Sequence, residues 1–164
     1  SSQGSVVGII SLLRRDHFFG RWLRGASGYP VYFPRILKKG AVVVEREINE
    51  IYLTPLKNVK SKYWLEHYPF EKGIFEWVAK HNRYSSMEAV AHKLKTKSSD
   101  SYTRHRLLLK RLFYRLPFRP LIIFFYFYIL KFGFLAGKAG FYFCCLRAFY
   151  ELLITIKKLE IAKN

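Results

Sequence analysis

The stretch Tyr63-Trp64-Leu65-Glu66-His67-Tyr68-Pro69-Phe70, followed by Glu71-Lys72-Gly73 and then Ile74-Phe75-Glu76-Trp77-Val78-Ala79-Lys80-His81-Asn82-Arg83-Tyr84, is where the chain changes period. Its first part is a short aromatic segment punctuated by His67 and Pro69. Beyond Gly73, Ile74, Trp77, Val78 and His81 fall at i, i+3, i+4 and i+7, one face of an amphipathic helix. Ser85 and Glu88 have the capping-box spacing, in which hydroxyl and carboxylate satisfy each other's exposed backbone donors, so a new helix is predicted to begin at Ser85. Extended pieces before this stretch and helices after it make the chain α/β.

Working toward the N-terminus, Pro55 to Lys62 reads as a polar, basic connection. Ile36 to Gly40 and Ala41 to Ile48 read as two extended pieces joined at Lys38-Lys39-Gly40, because Val42, Val43 and Val44 favour a strand. Glu45, Arg46, Glu47, Asn49 and Glu50 form the only dense acidic cluster, at a strand end. Gly25 to Pro34 is loop chemistry. Phe18, Phe19, Trp22 and Leu23 suggest a helix face. Val6 to Leu13 is a buried strand or short helix, ended by the charged Arg14-Arg15-Asp16. Ser1 to Gly20 lacks the pattern of a secretory signal peptide.

Toward the C-terminus, Lys93 to Tyr102 is polar and weakly patterned, a linker in character. Arg104, Arg106, Lys110, Arg111, Arg115 and Arg119 then put six fixed positive charges into sixteen residues with no acid, interleaved with Leu107 to Leu109, Leu112, Phe113 and Leu116. This predicts a basic amphipathic helix, ended by Pro117 and Pro120. Pro120 to Leu130 is uncharged, and Lys131 and Lys138 interrupt the apolar tail beyond it. A bilayer core needs about 20 apolar residues in a helix, and a lysine near its centre costs roughly 2.5–3.5 kcal/mol. A re-entrant or interfacial helical hairpin bending near Gly133 to Gly140 fits better than a span.

Charge narrows the partners. Lys plus Arg total 29 against 11 Asp plus Glu, a formal +18, so the chain should seek polyanions. Thirteen of its thirty aromatics lie between Phe118 and Tyr150, inside the most apolar region. Single-strand nucleic-acid binders spread stacking rings along a basic groove instead, so an anionic membrane surface is the expected partner and nucleic acid is not. Cys144 and Cys145 are adjacent in an apolar run and read as soft apolar fillers.

The run Glu66-His67-Tyr68-Pro69-Phe70, with Trp77, Lys80-His81-Asn82-Arg83-Tyr84-Ser85 and Glu88-Ala89, resembles a group of bacterial family 2 glycosyltransferases of lipopolysaccharide-core and exopolysaccharide assembly. Phe18-Phe19-Gly20-Arg21-Trp22, Gly28-Tyr29-Pro30 and Arg35-Ile36-Leu37-Lys38-Lys39-Gly40 also look like its pattern, as does Asn49-Glu50, where relatives usually read His-Glu. Tyr114 to Pro120 and Gly133 to Gly137 are similar to the group's membrane-associated C-terminal region, although relatives often have Asp where Ala136 stands.

The resemblance implies the C-terminal, acceptor-side portion of a GT-A nucleotide-sugar transferase fold, followed by amphipathic membrane-surface helices. Residues 1–92 would be the acceptor-side part, 93–103 a linker and 104–164 the membrane-associated region, with a donor-binding half expected ahead of Ser5. A divalent Mg or Mn ion would belong to the intact enzyme, with none of its ligands in this chain. Substrates would be a nucleotide sugar and a lipid-linked saccharide acceptor, at the cytoplasmic face of the bacterial inner membrane. The chain by itself would be an inactive fragment; the rival is a non-catalytic membrane-binding remnant or accessory subunit.

Inverting transfer needs a carboxylate to take the acceptor hydroxyl's proton, and the resemblance points to Glu50; a strand-end glutamate paired with Arg35 or Arg46 is the plainer alternative. Arg35 would bind a phosphate or pair with the acidic cluster. His67 would meet the leaving diphosphate or metal, or pack beside Tyr68. Asn49 completes the substrate group. Arg104, Arg106, Lys110, Arg111, Arg115 and Arg119, with Phe124, Phe125 and Tyr126, would bind the membrane, each basic side chain contributing about 1 kcal/mol. His81, on the apolar face of its helix, is expected to be a satisfied core residue.

Overall fold

A computed structural model describes residues 6–45, 50–95 and 118–163. The chain is mixed α/β. Its spine is β1 (Val7–Phe18), which pairs antiparallel with β2 (Arg21–Trp22) and β3 (Tyr32–Leu37). On the other edge it pairs parallel with β6 (Lys57–His67), and β4 (Val43–Glu45) with β5 (Ile51–Leu53) form a separate antiparallel hairpin. Helix α1 (Gly73–Lys95) follows β6. Helix α2 (Arg119–Phe125) runs into a π-helical turn (Tyr126–Leu130) and a 3-10 turn (Gly133–Ala136), and α3 (Gly137–Lys163) closes the structure.

The core lies where the end of β1 meets α3. Phe18, Leu23 and Ala26 from the strand region pack with Ala139, Phe143 and Cys144 from the helix. Three glycines make the approach close enough. A Cβ on Gly25 would lie 1.8 Å from the Lys131 carbonyl oxygen, one on Gly133 2.6 Å from that of Phe127, and one on Gly140 2.0 Å from that of Gly133. The helical hairpin therefore turns back at Lys131–Gly137 with backbone against backbone, near the predicted bend.

Helix α1 packs along α3, with Trp77, Ser85 and Ala89 buried. Lys157 Nζ reaches across from α3 to the Asn82 carbonyl and side-chain oxygens, both at 2.6 Å, and to the Ser85 and Ser86 hydroxyls, both at 2.8 Å. His81 stacks on Trp77 with ring centroids 3.6 Å apart and its Nδ1 lies 2.8 Å from the Trp77 carbonyl, the expected satisfied core histidine.

Several expectations are corrected. β1 does not stop at Arg14-Arg15-Asp16 but carries these charges inside the sheet. Phe18 to Leu23 is a hairpin and not a helix face: Phe19 and Gly20 take φ of 47° and 69°, the paired positive values of a two-residue turn joining twisted strands. Pro34 sits within β3, tolerable because β3 is an edge strand whose outer donors have no ladder to serve. The expected connection Pro55 to Lys62 is, from Lys57 on, the first half of β6, whose exposed Lys57, Lys60 and Lys62 lie along an edge, the usual guard against edge-to-edge pairing. Ser85 starts no new helix; α1 is continuous, and the Ser85 hydroxyl donates to the Asn82 carbonyl at 2.7 Å. Ile74 is exposed, not on the packed face. Helix α1 also runs past the expected boundary at residue 92.

Gly133–Lys163 contains an 18-residue window of mean hydropathy 1.4 and is long and apolar enough to cross a membrane by length and composition. The expectation of a hairpin in place of a span rests on the interrupting lysines and not on helix length. Arg147, Glu151, Lys157, Lys158, Glu160 and Lys163 interrupt it toward its C-terminal end. The expected basic helix, with Arg104, Arg106, Lys110, Arg111 and Arg115, lies outside the described residues, as do residues 96–103 of the expected linker 93–103.

Candidate functional site

Strand alternation sorts the charges of β1 onto two faces. Arg14 and Asp16 lie on one, Arg15 and His17 on the other. The parallel register sets Asp16 beside His67 and Arg15 beside Glu66, so each face receives one matched partner from β6.

On the first face Asp16 is 4% exposed. Its carboxylate lies 2.6 Å from His67 Nδ1 and 3.0 Å from Arg14 Nε. A buried carboxylate is stable only when paired and hydrogen-bonded, and here two partners converge on it. Holding Nδ1–H against Asp16 leaves Nε2 of His67, whose side chain is 37% exposed, free to meet a ligand. The Arg14 guanidinium lies 3.9 Å from the centre of the Phe33 ring, and Arg35 lies 5.6 Å from the same ring.

Arg35 is within electrostatic reach of Tyr52, whose hydroxyl donates to the Glu50 carboxylate. That hydrogen bond, burial and the Glu50 charge push the Tyr52 phenol above its usual range, while Arg35 pulls it down. Glu50, Tyr52 and Arg35 therefore form one exposed group, and His67, Asp16 and Arg14 a second, partly buried one, linked through Phe33. Arg35 and Glu50 each act on Tyr52, but among the described residues no ion pair joins them directly, and Glu50 has a tyrosine partner that the sequence does not suggest. Asn49 lies outside the described residues.

A third charged group lies on α3. Arg147 lies 3.8 Å over the Phe127 ring, and burial pushes its guanidinium down, opposed by Glu151, Cys144 and Asp16. Burial pushes the Glu151 carboxyl up, opposed by Arg119, Arg147 and Lys158. Arg119, expected to face the membrane, is 5% exposed and ion-paired with Glu151. It fixes the start of α2 to α3 and is unavailable to lipid. Phe125 and Tyr126 are exposed as expected, while Phe124 packs against the core.

On the second face Arg15 lies 3.8 Å over Trp64 and 4.7 Å from Trp22, and also pairs with Glu66 at 3.6 Å. His17 Nε2 sits 2.5 Å from the other Glu66 oxygen. Beyond it a cleft of about 430 Å³ opens, lined by His17, Phe18, Phe19, Tyr68, Phe70 and Ile74 among others. In the sequence Asp16 marks only the end of an apolar run, and nothing there singles out Arg14, Arg147, Glu151 or this cleft. The signal for Asp16 was its isolation, as the only acid ahead of Glu45. A lone acid inside a strand, flanked by arginines and a histidine, is one that pairs when buried.

Among the described residues no group of three or more His, Cys, Asp or Glu is placed to hold a metal ion. Asp16 and His67 meet, but Arg14 shares the carboxylate, so the pair does not fit a divalent cation. Fold and site together define a mixed α/β protein whose charged sheet face is closed by an apolar helical hairpin. Set against protein-family models, curated proteins and solved structures, the chain matches none of them.

Proposed function

We propose that this chain is the acceptor-side part of a membrane-surface glycosyltransferase, which moves a sugar from a nucleotide donor to a lipid-linked saccharide at the cytoplasmic face of a bacterial inner membrane. The observation that carries the reading is the Asp16–His67–Arg14 group at the end of β1 and β6. An oriented imidazole beside guanidinium groups suits a phosphate ester or diphosphate. In this reading His67 and Arg35 bind phosphate oxygens, Glu50 takes the acceptor proton, and the divalent metal of the intact enzyme is held by residues outside this chain. Its polar interruptions favour helix α3 lying at the bilayer surface over crossing it.

The test is to replace Glu50 by Gln and, separately, His67 by Ala in the protein within its own cells, and to read lipid-linked saccharides by mass spectrometry. Loss of one saccharide species in both variants supports transfer. An unchanged profile in both sinks it and leaves a second reading, membrane binding without chemistry. That alternative draws on the exposure of Glu50 and on the extent of exposed aromatic surface on the helical hairpin.

A further inference from the structure

Two phenylalanines stand where phenylalanine is costly. Phe19 takes φ of 47° and Phe132 φ of 55°, a left-handed conformation that is strained for L-residues with a side chain. Turns of this kind use Asn or Gly. Both rings are exposed, Phe19 by 68% and Phe132 by 60%, so neither repays its strain by filling the core. Strained residues that persist without a packing role mark working surfaces.

A continuous series of ring contacts joins the two. Phe132 meets Phe134 at 6.1 Å, Phe134 meets Tyr128 at 6.3 Å, and Tyr128 meets Phe141 at 5.7 Å. Phe141 meets Tyr142 at 5.6 Å, and Tyr142 meets Phe19 edge-on at 6.5 Å. Phe132, Phe134, Phe141 and Tyr142 are themselves exposed, as are Leu135 and Leu130 beside them. An apolar surface of this extent marks an interaction site, and aromatic rings are the side chains that favour the membrane–water interface.

The series does not end at Phe19. Phe19 stacks on Phe18 at 4.1 Å, Phe18 on Phe70 at 4.1 Å, and Phe70 on Trp77 at 5.4 Å. Phe18, Phe19 and Phe70 line the 430 Å³ cleft, together with Tyr68 and Ile74. That volume lies within the roughly 300–1,000 Å³ of small-molecule sites. Its polar groups, His17 and Glu71, are few against the apolar remainder. Phe19 is thus both the last ring of the exposed surface and the rim of the cleft, so anything lying on the hairpin has an uninterrupted apolar path inside.

We infer that the cleft between the β1–β2 turn and the start of α1 takes one hydrocarbon chain of a bilayer lipid, with Phe19 inserted as the lip over which the chain passes. The inference rests on the membrane-surface reading above and deepens it. The cleft wall at His17, which pairs with Glu66, lies at the same end of β1 and β6 as His67. Phe19 is then a lipid-contact residue, and its strained backbone is the cost of presenting a ring at the lip.

The experiment mixes the full 164-residue chain with phosphatidylcholine vesicles doped with phosphatidylglycerol and a phosphatidylcholine that bears a diazirine at the end of one acyl chain. Co-sedimentation reads membrane binding, and irradiation followed by peptide mass spectrometry reads where the chain end lies. The expected result is adducts on Tyr68, Phe70 or Ile74, lost in Ile74→Trp, which fills the cleft, and in Phe19→Asn, which suits the turn and removes the lip. Both variants should still sediment with vesicles through the hairpin. Co-sedimentation with adducts confined to Leu121, Leu130 or Leu135 would overturn the cleft while keeping the membrane reading. Failure to sediment would overturn both.

Discussion

His67 Nδ1 sits 2.6 Å from the Asp16 carboxylate directly across the parallel pair of β1 and β6, and the same carboxylate holds Arg14. One buried anion therefore sets the position of an imidazole and a guanidinium on two different strands. Asp16→Asn keeps the shape but removes the charge, leaving Arg14 without its counter-ion. Breaking a buried pair costs about 3–5 kcal/mol. Arg14, partly exposed, recovers some solvation, so the expected loss is near the lower end. Guanidinium denaturation measures it, and Arg14→Met combined with Asp16→Asn should lose less than the single variant.

His81 gives the fold a pH dependence of definite sign. Burial lowers its pKa below the ordinary 6.5, with the Trp77 carbonyl opposing and Lys80 adding to the fall. The unfolded chain then binds a proton that the folded chain refuses. Stability is therefore fully present above pH 6.5 and declines as pH falls from there through the folded-state value. Melting followed between neutral and mildly acid pH should show this decline, and His81→Phe, which keeps the stacking on Trp77, should flatten it.

The sequence made the α/β class legible, with the helix beginning at Gly73, the extended pieces on either side of Lys38-Lys39-Gly40, and the return of the apolar tail near Gly133. Those features rest on local period and turn chemistry. It hid β6, because an edge strand with lysines along its open side has the composition of a loop. It hid the turn at Phe19-Gly20, because the strained phenylalanine obeys a surface requirement and not a turn preference. It misread Ser85, because capping-box spacing also arises inside a continuous helix when a tertiary partner, Lys157, uses the hydroxyl. For the site, His67 and Arg35 stand out by residue type, whereas Asp16, Arg147 and Glu151 matter through pairings between strands and helices far apart in sequence.

Gly140 and Gly133 meet at the turn of the hairpin with no room for a side chain between them. A methyl group on Gly140 would lie 2.0 Å from the Gly133 carbonyl oxygen, which belongs to main chain and has no rotamer to yield. Overpacking of this kind costs about 1–3 kcal/mol or more. Gly140→Ala is expected to lower the melting temperature and to loosen α2 against α3, seen as faster amide exchange across Ile122 to Ile129. Gly20→Ala meets no neighbour and should strain only its own turn, through its positive φ.

Lys157 draws Asn82, Ser85 and Ser86 of α1 together from α3, with four oxygens within 2.8 Å of its ammonium. Three N–H donors shared among four acceptors make a convergent site that a planar guanidinium does not reproduce. Hydrogen bonds to a charged group contribute about 1.5–3 kcal/mol. Lys157→Met keeps the apolar stem and discards that contribution, leaving the buried Ser85 hydroxyl with only its bond to Asn82. The variant should lose stability of this order in denaturation, with faster exchange at residues 82–86. Lys157→Arg should fail to restore it, because the long fork cannot bring its donors to one point. Vesicle sedimentation should be unaltered in both, since the exposed rings of the hairpin turn lie at the opposite end of α3. Loss of sedimentation in Lys157→Met would instead mean that the α1–α3 clasp shapes the lipid-facing surface itself.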